Sequence, residues 1–503
     1  MQFIPMETFA CKGASQAPFS YLSKALFHPP IQEFVDQCKF LCKRLHPLTS
    51  REATLNGWQS TRTRRVTLAA MLSVATVLIA PQVGHADNGQ DLAKAPPEQV
   101  GMSTQRLARI SAIFKRDVDQ GKLPGAVMMV ARKGKLVFAE AVGFQDKNAA
   151  RPMSLNSIFR VYSMSKSLTS VAAMTLVEDG TIQLADPISK YLPAFKRMVV
   201  SVPKIDPALV RLTYTMVPAE REITIQDLLR HTAGLAYGEL TTNTPVRDAY
   251  VKAGFVAQSG PDFDIRGMTA DEQVERLSKA PLATQPGAMW EYSIAVDVLG
   301  RVLEAATGKR LSEVLDERLF KPLKMADTSF WVPKNKIDQL AQPLPVDPIT
   351  GLPNILFDMS TPPKNDSGGA GIASTATDYL RFAQMLLNKG QLDGMRLLSP
   401  TTVRLMTADH LGTRIDDMVA PVTALLGTPG YTFGLGFAVR RSDGIVGEPG
   451  SSGEFLWTSF AGSFFWIDPK EQIAAVYMTQ SPGPLRGHYR RLFKQLVYQA
   501  VVD

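Results

Sequence analysis

The β-rich runs of this chain lie at its two ends, and that placement limits the folds open to it. "AVMMVARKG" and "KLVFAEAVGF" meet at Lys133-Gly134 and predict a hairpin. "YTFGLGFAVRR", "EFLWTSFAGSFFWID" and "QIAAVYMTQ" supply further strands toward the C-terminus. Between about 181 and 360, helical segments such as "TIQDLLRHTAG" and "AVDVLGRVLEAATG" alternate with Pro- and Gly-rich stretches read as loops, among them "SVPKIDP" and "PVDPITGLPN". The expected architecture is therefore one sheet built from both ends of the chain, residues 87–180 with 361–503, interrupted by a mostly helical insertion at 181–360. A helix from Ser103 to Gln120 precedes the sheet, with Leu107, Ile110, Phe114 and Val118 on one face and Ser103 as its cap. The last seventeen residues, "GHYRRLFKQLVYQAVVD", read as a closing helix.

Residues 1–86 stand apart. They hold nine Lys/Arg against four Asp/Glu, which leaves 46 against 43 in the body, so the net charge of +8 belongs mainly to this extension. A near-neutral body without a basic run or basic-aromatic repeat gives no support to a nucleic-acid partner. Within the extension, "RTRR" precedes the uncharged run "VTLAAMLSVATVLIA" at 66–80, and Gly84 and Ala86 follow at signal-peptidase spacing. The run is shorter than the roughly 20 residues that cross a bilayer. A cleaved export signal is expected, with the mature protein periplasmic or secreted and without a stable membrane span. The long preamble before the signal fits translation starting later than Met1. All three cysteines, Cys11, Cys38 and Cys42, also lie in the extension, and the body's His231, His410 and His488 are too scattered to suggest a zinc site.

The chemistry concentrates in "FRVYSMSKSLTSVAAM", residues 159–174. Residues three apart share a helix face, so Ser163 and Lys166 can bring a hydroxyl and an amine together, which Ser165 does less well. Burial and a helix N-terminus both favour the neutral, basic amine, and the apolar run that follows suits burial. The tetrapeptide alone is common: Ser201-Val202-Pro203-Lys204 repeats it, although Pro203 spoils the helical alignment. No Gly-x-Ser-x-Gly elbow occurs, a papain-like cysteine is absent from the body, and His231 at a helix end is the remaining candidate for a histidine base.

Longer stretches carry a resemblance. "FRVYSMSKSLTS", "ITIQDLLRHTAGLAYG", "PGAMWEYSIAVDVLGRVLEAATGK" and "GGAGIASTATDYLRF" together resemble the serine β-lactamase and penicillin-binding superfamily, most closely the family VIII carboxylesterases and class C β-lactamases. The resemblance implies an α/β (α+β) fold of the β-lactamase/transpeptidase type, an antiparallel sheet flanked by N- and C-terminal helices. It implies Ser163 as acylated nucleophile, Lys166 as its base and Tyr292 as third member. Ser163 and Phe460 would supply oxyanion-binding N–H groups, and no metal or cofactor would be needed. Substrate would lie against Tyr162, Trp457, Thr458 and Ser459.

Two departures bear on specificity. Ile294 stands where β-lactamases of this type carry the Asn of Tyr-x-Asn, and Trp457-Thr458-Ser459 stands where they carry Lys-Thr-Gly. Losing that lysine removes a charge-assisted contact to a substrate carboxylate, about 1.5–3 kcal/mol. Ser459 in place of Gly is expected to put a side chain where substrate runs along the strand. The reading is a serine carboxylesterase acting on small or short-chain carboxylic esters. The alternatives are a β-lactamase, a D-alanyl carboxypeptidase or aminopeptidase, a transacylase, or a non-catalytic penicillin-binding-like sensor.

Overall fold

The computed structural model describes residues 92–503 except 208–210, 257–263, 413–425 and 427–428; the extension with its apolar run at 66–80 lies outside the described residues. Ser103 accepts a hydrogen bond from the Arg106 N–H and starts α1 (Thr104–Asp119). The chain then forms β1 (Gly125–Arg132) and β2 (Lys135–Asp146), joined through Lys133 and Gly134 at φ 50° and 75°. Two successive positive φ values match the right-handed twist of a two-residue hairpin. A short edge strand, β3 (Arg151–Pro152), follows.

A two-stranded ribbon, β4 (Val199–Asp206) with β5 (Arg211–Pro218), projects from the middle of the chain. This corrects the reading of "SVPKIDP" as a loop within a helical insertion: Pro203 sits in a ribbon strand rather than a sheet interior, where its missing N–H is tolerated. The C-terminal strands are β6 (Tyr431–Phe433), β7 (Ala438–Arg440), β8 (Phe455–Thr458), β9 (Gly462–Asp468) and β10 (Ile473–Gln480).

The main sheet runs β6-β7-β8-β9-β10-β1-β2-β3, with every labelled pair antiparallel. The two ends of the chain thus meet at its centre, where Val127 pairs with Met478 and Val130 with Ala475. β1, β9 and β10 are buried at every position, so they read as continuous apolar runs instead of alternating ones. Neighbouring aromatics on β9 reveal the two covered faces. Phe465 packs 4.9 Å from Tyr379 of α5 (Ala376–Leu387), whereas Trp466 packs 5.5 Å from Phe493 of α6 (Arg486–Tyr498). α1 joins α6 on the second face, with the Phe114 ring 5.6 Å from Tyr477. α4 (Ala295–Thr307) packs against both α2 (Ser165–Glu178) and α3 (Ile225–Leu229).

Candidate active site

Ser163 lies in a single helical turn, Tyr162–Met164, immediately before α2. Tyr162 enters that turn at φ 43°, a conformation that costs a non-glycine residue about 1–3 kcal/mol and needs surrounding structure to hold it. The holding groups are visible. The Tyr162 hydroxyl accepts from the Phe357 N–H at 2.9 Å, and its ring lies 4.7 Å from Phe357 and 5.4 Å from Phe460. Tyr162 is fully buried, and that burial pushes its phenol well above the usual range. These contacts hold the turn in place. Ser165 is likewise committed, its hydroxyl accepting from the Ile372 N–H.

Lys166, on the first turn of α2, is buried with three partners: Tyr237 Oη at 2.9 Å, the Gly369 carbonyl at 2.8 Å and Ser163 Oγ at 3.5 Å. No carboxylate pairs with it among the described residues. Gly369 reaches this position because Asp297 of α4 accepts from its N–H at 2.9 Å, and a Cβ there would lie 2.3 Å from the Asp297 carboxylate. Only glycine permits that approach, which gives the "GGAG" segment its physical reason.

Tyr292 arrives from the loop before α4 and donates to Ser163 Oγ at 2.7 Å, while Lys166 Nζ stands 4.8 Å above its ring. The phenol ring is walled by Trp290 (6.2 Å, nearly parallel), Tyr237 (5.2 Å), His231 (5.1 Å) and Trp457 (5.5 Å). Burial, then the charge of Lys166, hold His231 well below the usual imidazole range, so it is neutral; its Nδ1 lies 3.3 Å from the Ser293 hydroxyl. It is part of the wall. Tyr237 is the residue that sequence reasoning missed. Burial first, then the neighbouring Tyr292, raise its phenol well above the usual value, so it stays protonated beside the lysine.

β8 packs against the Ser163 turn, and the β8–β9 turn carries Phe460. Arg490, on α6, donates to the Ser459 and Gly462 carbonyls, and Arg486 donates to the Phe460 carbonyl at 3.1 Å. The Phe460 N–H shares its peptide with the Ser459 carbonyl, and in a trans peptide the two point in opposite directions. Holding that carbonyl therefore aims the N–H away from α6. The Ser459 hydroxyl turns inward and accepts from the Ala461 N–H at 3.2 Å, with the residue 2% exposed. Trp457 and Thr458 are also buried, at 1% and 8% exposure; the indole of Trp457 braces the Tyr292 ring and Phe433 (5.2 Å). Ile294 is buried in the core.

Beside this group opens a cavity of ≈ 810 Å³, and Tyr292 is the one expected site residue in its lining. The ribbon and the loops at 240–243 and 283–292 form its walls, with Arg486 at one side. Glu291 also lines it; burial pushes its carboxyl up to about 7. Among the described residues no cluster of His, Cys, Asp and Glu is arranged to hold a metal ion. What the arrangement offers is a serine hydroxyl within hydrogen-bond reach of a phenol, backed by a buried amine.

This chain is similar to several known proteins. Protein Rv1367c of Mycobacterium tuberculosis is 36% identical over 383 residues, 73% of this chain and 88% of that protein. Esterase EstB of Burkholderia gladioli is 29% identical over 394 residues, covering 74% and 90% respectively. Among solved structures, EstCE1, described as a hydrolase with promiscuous acyltransferase activity, superposes with a TM-score of 0.63 at 28% identity, over 78% of this chain and 99% of that one. The Beta-lactamase family model matches residues 110–499, and by that match the chain belongs to the Beta-lactamase family.

Proposed function

We propose that this serine hydrolase is a carboxylesterase that works through an acyl-enzyme on Ser163. The observation that carries the reading is the 2.7 Å hydrogen bond between Tyr292 and Ser163 with Lys166 behind both. Ser163 Oγ attacks the ester carbonyl as its proton passes to the Tyr292–Lys166 pair; the two groups are coupled, so the proton belongs to the pair. The N–H groups of Ser163 and Phe460 receive the developing oxyanion. The proton then goes to the departing alcohol, and water releases the short acyl group by the reverse steps. The likeness to EstB supports the ester-hydrolysing reading. Export to the periplasm or medium belongs to it too, on the strength of the charged and apolar segment at 62–86.

Preference for an ester over a β-lactam rests on Trp457 and Ile294. Where a lysine and an amide would meet a β-lactam, this chain has an indole packed on Tyr292 and a buried aliphatic side chain. Side-by-side rates on p-nitrophenyl acetate and a chromogenic cephalosporin test this. The ester is expected to be favoured at least about tenfold in kcat/KM, matching one lost charge-assisted contact; a preference for the cephalosporin would replace esterase by lactamase. Acyl transfer to an alcohol other than water is a second reading, favoured by the cavity beside Tyr292 and by the EstCE1 likeness.

Arg490 serves this mechanism without touching substrate. Burial pulls its guanidinium down to about 9, it meets carbonyl oxygens alone, and no carboxylate answers it among the described residues. Arg490→Met is expected to lower kcat by about 10- to 100-fold, below the full loss of an oxyanion donor, with KM little changed. Arg490→Lys should restore part of the rate. Equal losses in both variants, tracking a fall in Tm, would reduce Arg490 to a structural residue.

A further inference from the structure

We propose that the cavity beside Tyr292 receives the alcohol half of the ester, and that this alcohol is bulky and apolar, of the size of a fused ring system. The inference rests on the esterase reading and adds which half of the substrate carries specificity.

The argument starts from the leaving oxygen. When Ser163 Oγ bonds to the acyl carbon, the C–O bond to the alcohol breaks, and the proton that left Ser163 must reach that alkoxide. Its donor has to lie within hydrogen-bond distance of the leaving oxygen. Tyr292 Oη is 2.7 Å from Ser163 Oγ, so the leaving oxygen passes beside Tyr292, and whatever it carries extends into the space that Tyr292 borders. That space is the cavity. Its lining includes Tyr292 but not Ser163 nor any residue of the β8–β9 turn that carries Phe460. It therefore opens on the proton-donor side of the nucleophile, with Arg486, which donates to the Phe460 carbonyl, at its border.

Size and surface then set the class of alcohol. A volume of ≈ 810 Å³ falls in the range of about 300–1,000 Å³ that encloses drug-sized ligands, far more than a methyl or ethyl group fills. Val202 and Leu212 come from the ribbon, Leu240 and Met289 from the facing loops, and Trp290 from the floor. Leu212 and Leu240 are 53% and 57% exposed, an arrangement that favours covering them with apolar surface. The ribbon has the same bias. Its register places Pro203 opposite Tyr214 and Ile205 opposite Leu212, so the outer part of one face is mostly apolar, while Ser201 lies nearer its base. Of the charged groups in the lining, Arg486 already donates to the Phe460 and Pro482 carbonyls.

Three esters that differ in one half at a time decide the matter: ethyl acetate, 2-(2-naphthyl)ethyl acetate and ethyl 2-naphthylacetate. The naphthylethyl acetate is expected to exceed ethyl acetate at least tenfold in kcat/KM, with no such gain for ethyl 2-naphthylacetate. Leu240→Trp, a surface change that intrudes on the cavity mouth, is expected to cut the naphthylethyl-to-ethyl ratio by tenfold or more. A gain that follows the naphthyl group on the acyl side, or a ratio untouched by Leu240→Trp, overturns the assignment while esterase activity stands. Absence of turnover on all three, with Ser163 unmodified by a fluorophosphonate, removes the esterase reading itself and the pocket assignment with it.

Discussion

Ser163→Ala protein is expected to fold as the parent does and to lose p-nitrophenyl acetate hydrolysis by about 10⁴-fold or more, the order lost when a nucleophile is removed from a unit that acts together. The side chain makes two contacts, to Tyr292 at 2.7 Å and to Lys166 at 3.5 Å, and neither is needed for packing. Lys166 keeps Tyr237 and the Gly369 carbonyl, and the Tyr292 ring keeps its aromatic walls. The stability change should stay within about 1 kcal/mol, the worth of one ordinary hydrogen bond. Intact-mass measurement supplies a second readout. A fluorophosphonate should add one adduct to the parent, mapped to the peptide containing Ser163, and none to the variant. Retained turnover, or an adduct on another serine, would dismiss Ser163 as nucleophile.

A sheet drawn from both ends of the chain was legible because those strands are β-rich and bounded by turn residues; that β1 and β10 pair at its centre was not. The ribbon was not. Pro203 and the neighbouring turn residues masked β4, although the aromatic and β-branched residues of "RLTYTMV" in β5 carried a strand signal that was not used. Ser163 and Lys166 were legible because three-residue spacing is local geometry. Tyr237 stands 71 residues from Lys166, and no periodicity links the two, so only the fold could bring its phenol to the amine. The run that forms β8 was legible as strand-rich, but side-chain directions along it were not: alternation reports direction only when one face meets water, and β8 is buried at all four positions. The positive φ of Tyr162 was not legible either, since it leaves no mark in sequence when the residue is not glycine.

Tyr292→Phe tests the chemistry at one atom and should be the second most damaging change. Phenylalanine retains the ring and hence the contacts with Trp290, Tyr237, His231 and Trp457, so the variant loses only the hydroxyl that faces Ser163. General acid–base catalysis by a placed side chain is worth about 10²–10⁴-fold, and a loss in kcat of that order is expected with Tm close to the parent's. The pattern across substrates is more informative than the size. p-Nitrophenolate leaves without needing a proton, whereas an alkoxide does not. If Tyr292 or the proton it shares with Lys166 serves the leaving oxygen, the loss for ethyl acetate should exceed the loss for p-nitrophenyl acetate by at least about tenfold, or 1.4 kcal/mol of transition-state stabilisation. Equal losses would confine Tyr292 to activating Ser163, and the leaving oxygen would then depart on another side. The same measurement therefore bears on the cavity: the pocket can hold the alcohol only if the residue that protonates the alcohol borders it, and Tyr292 is in its lining.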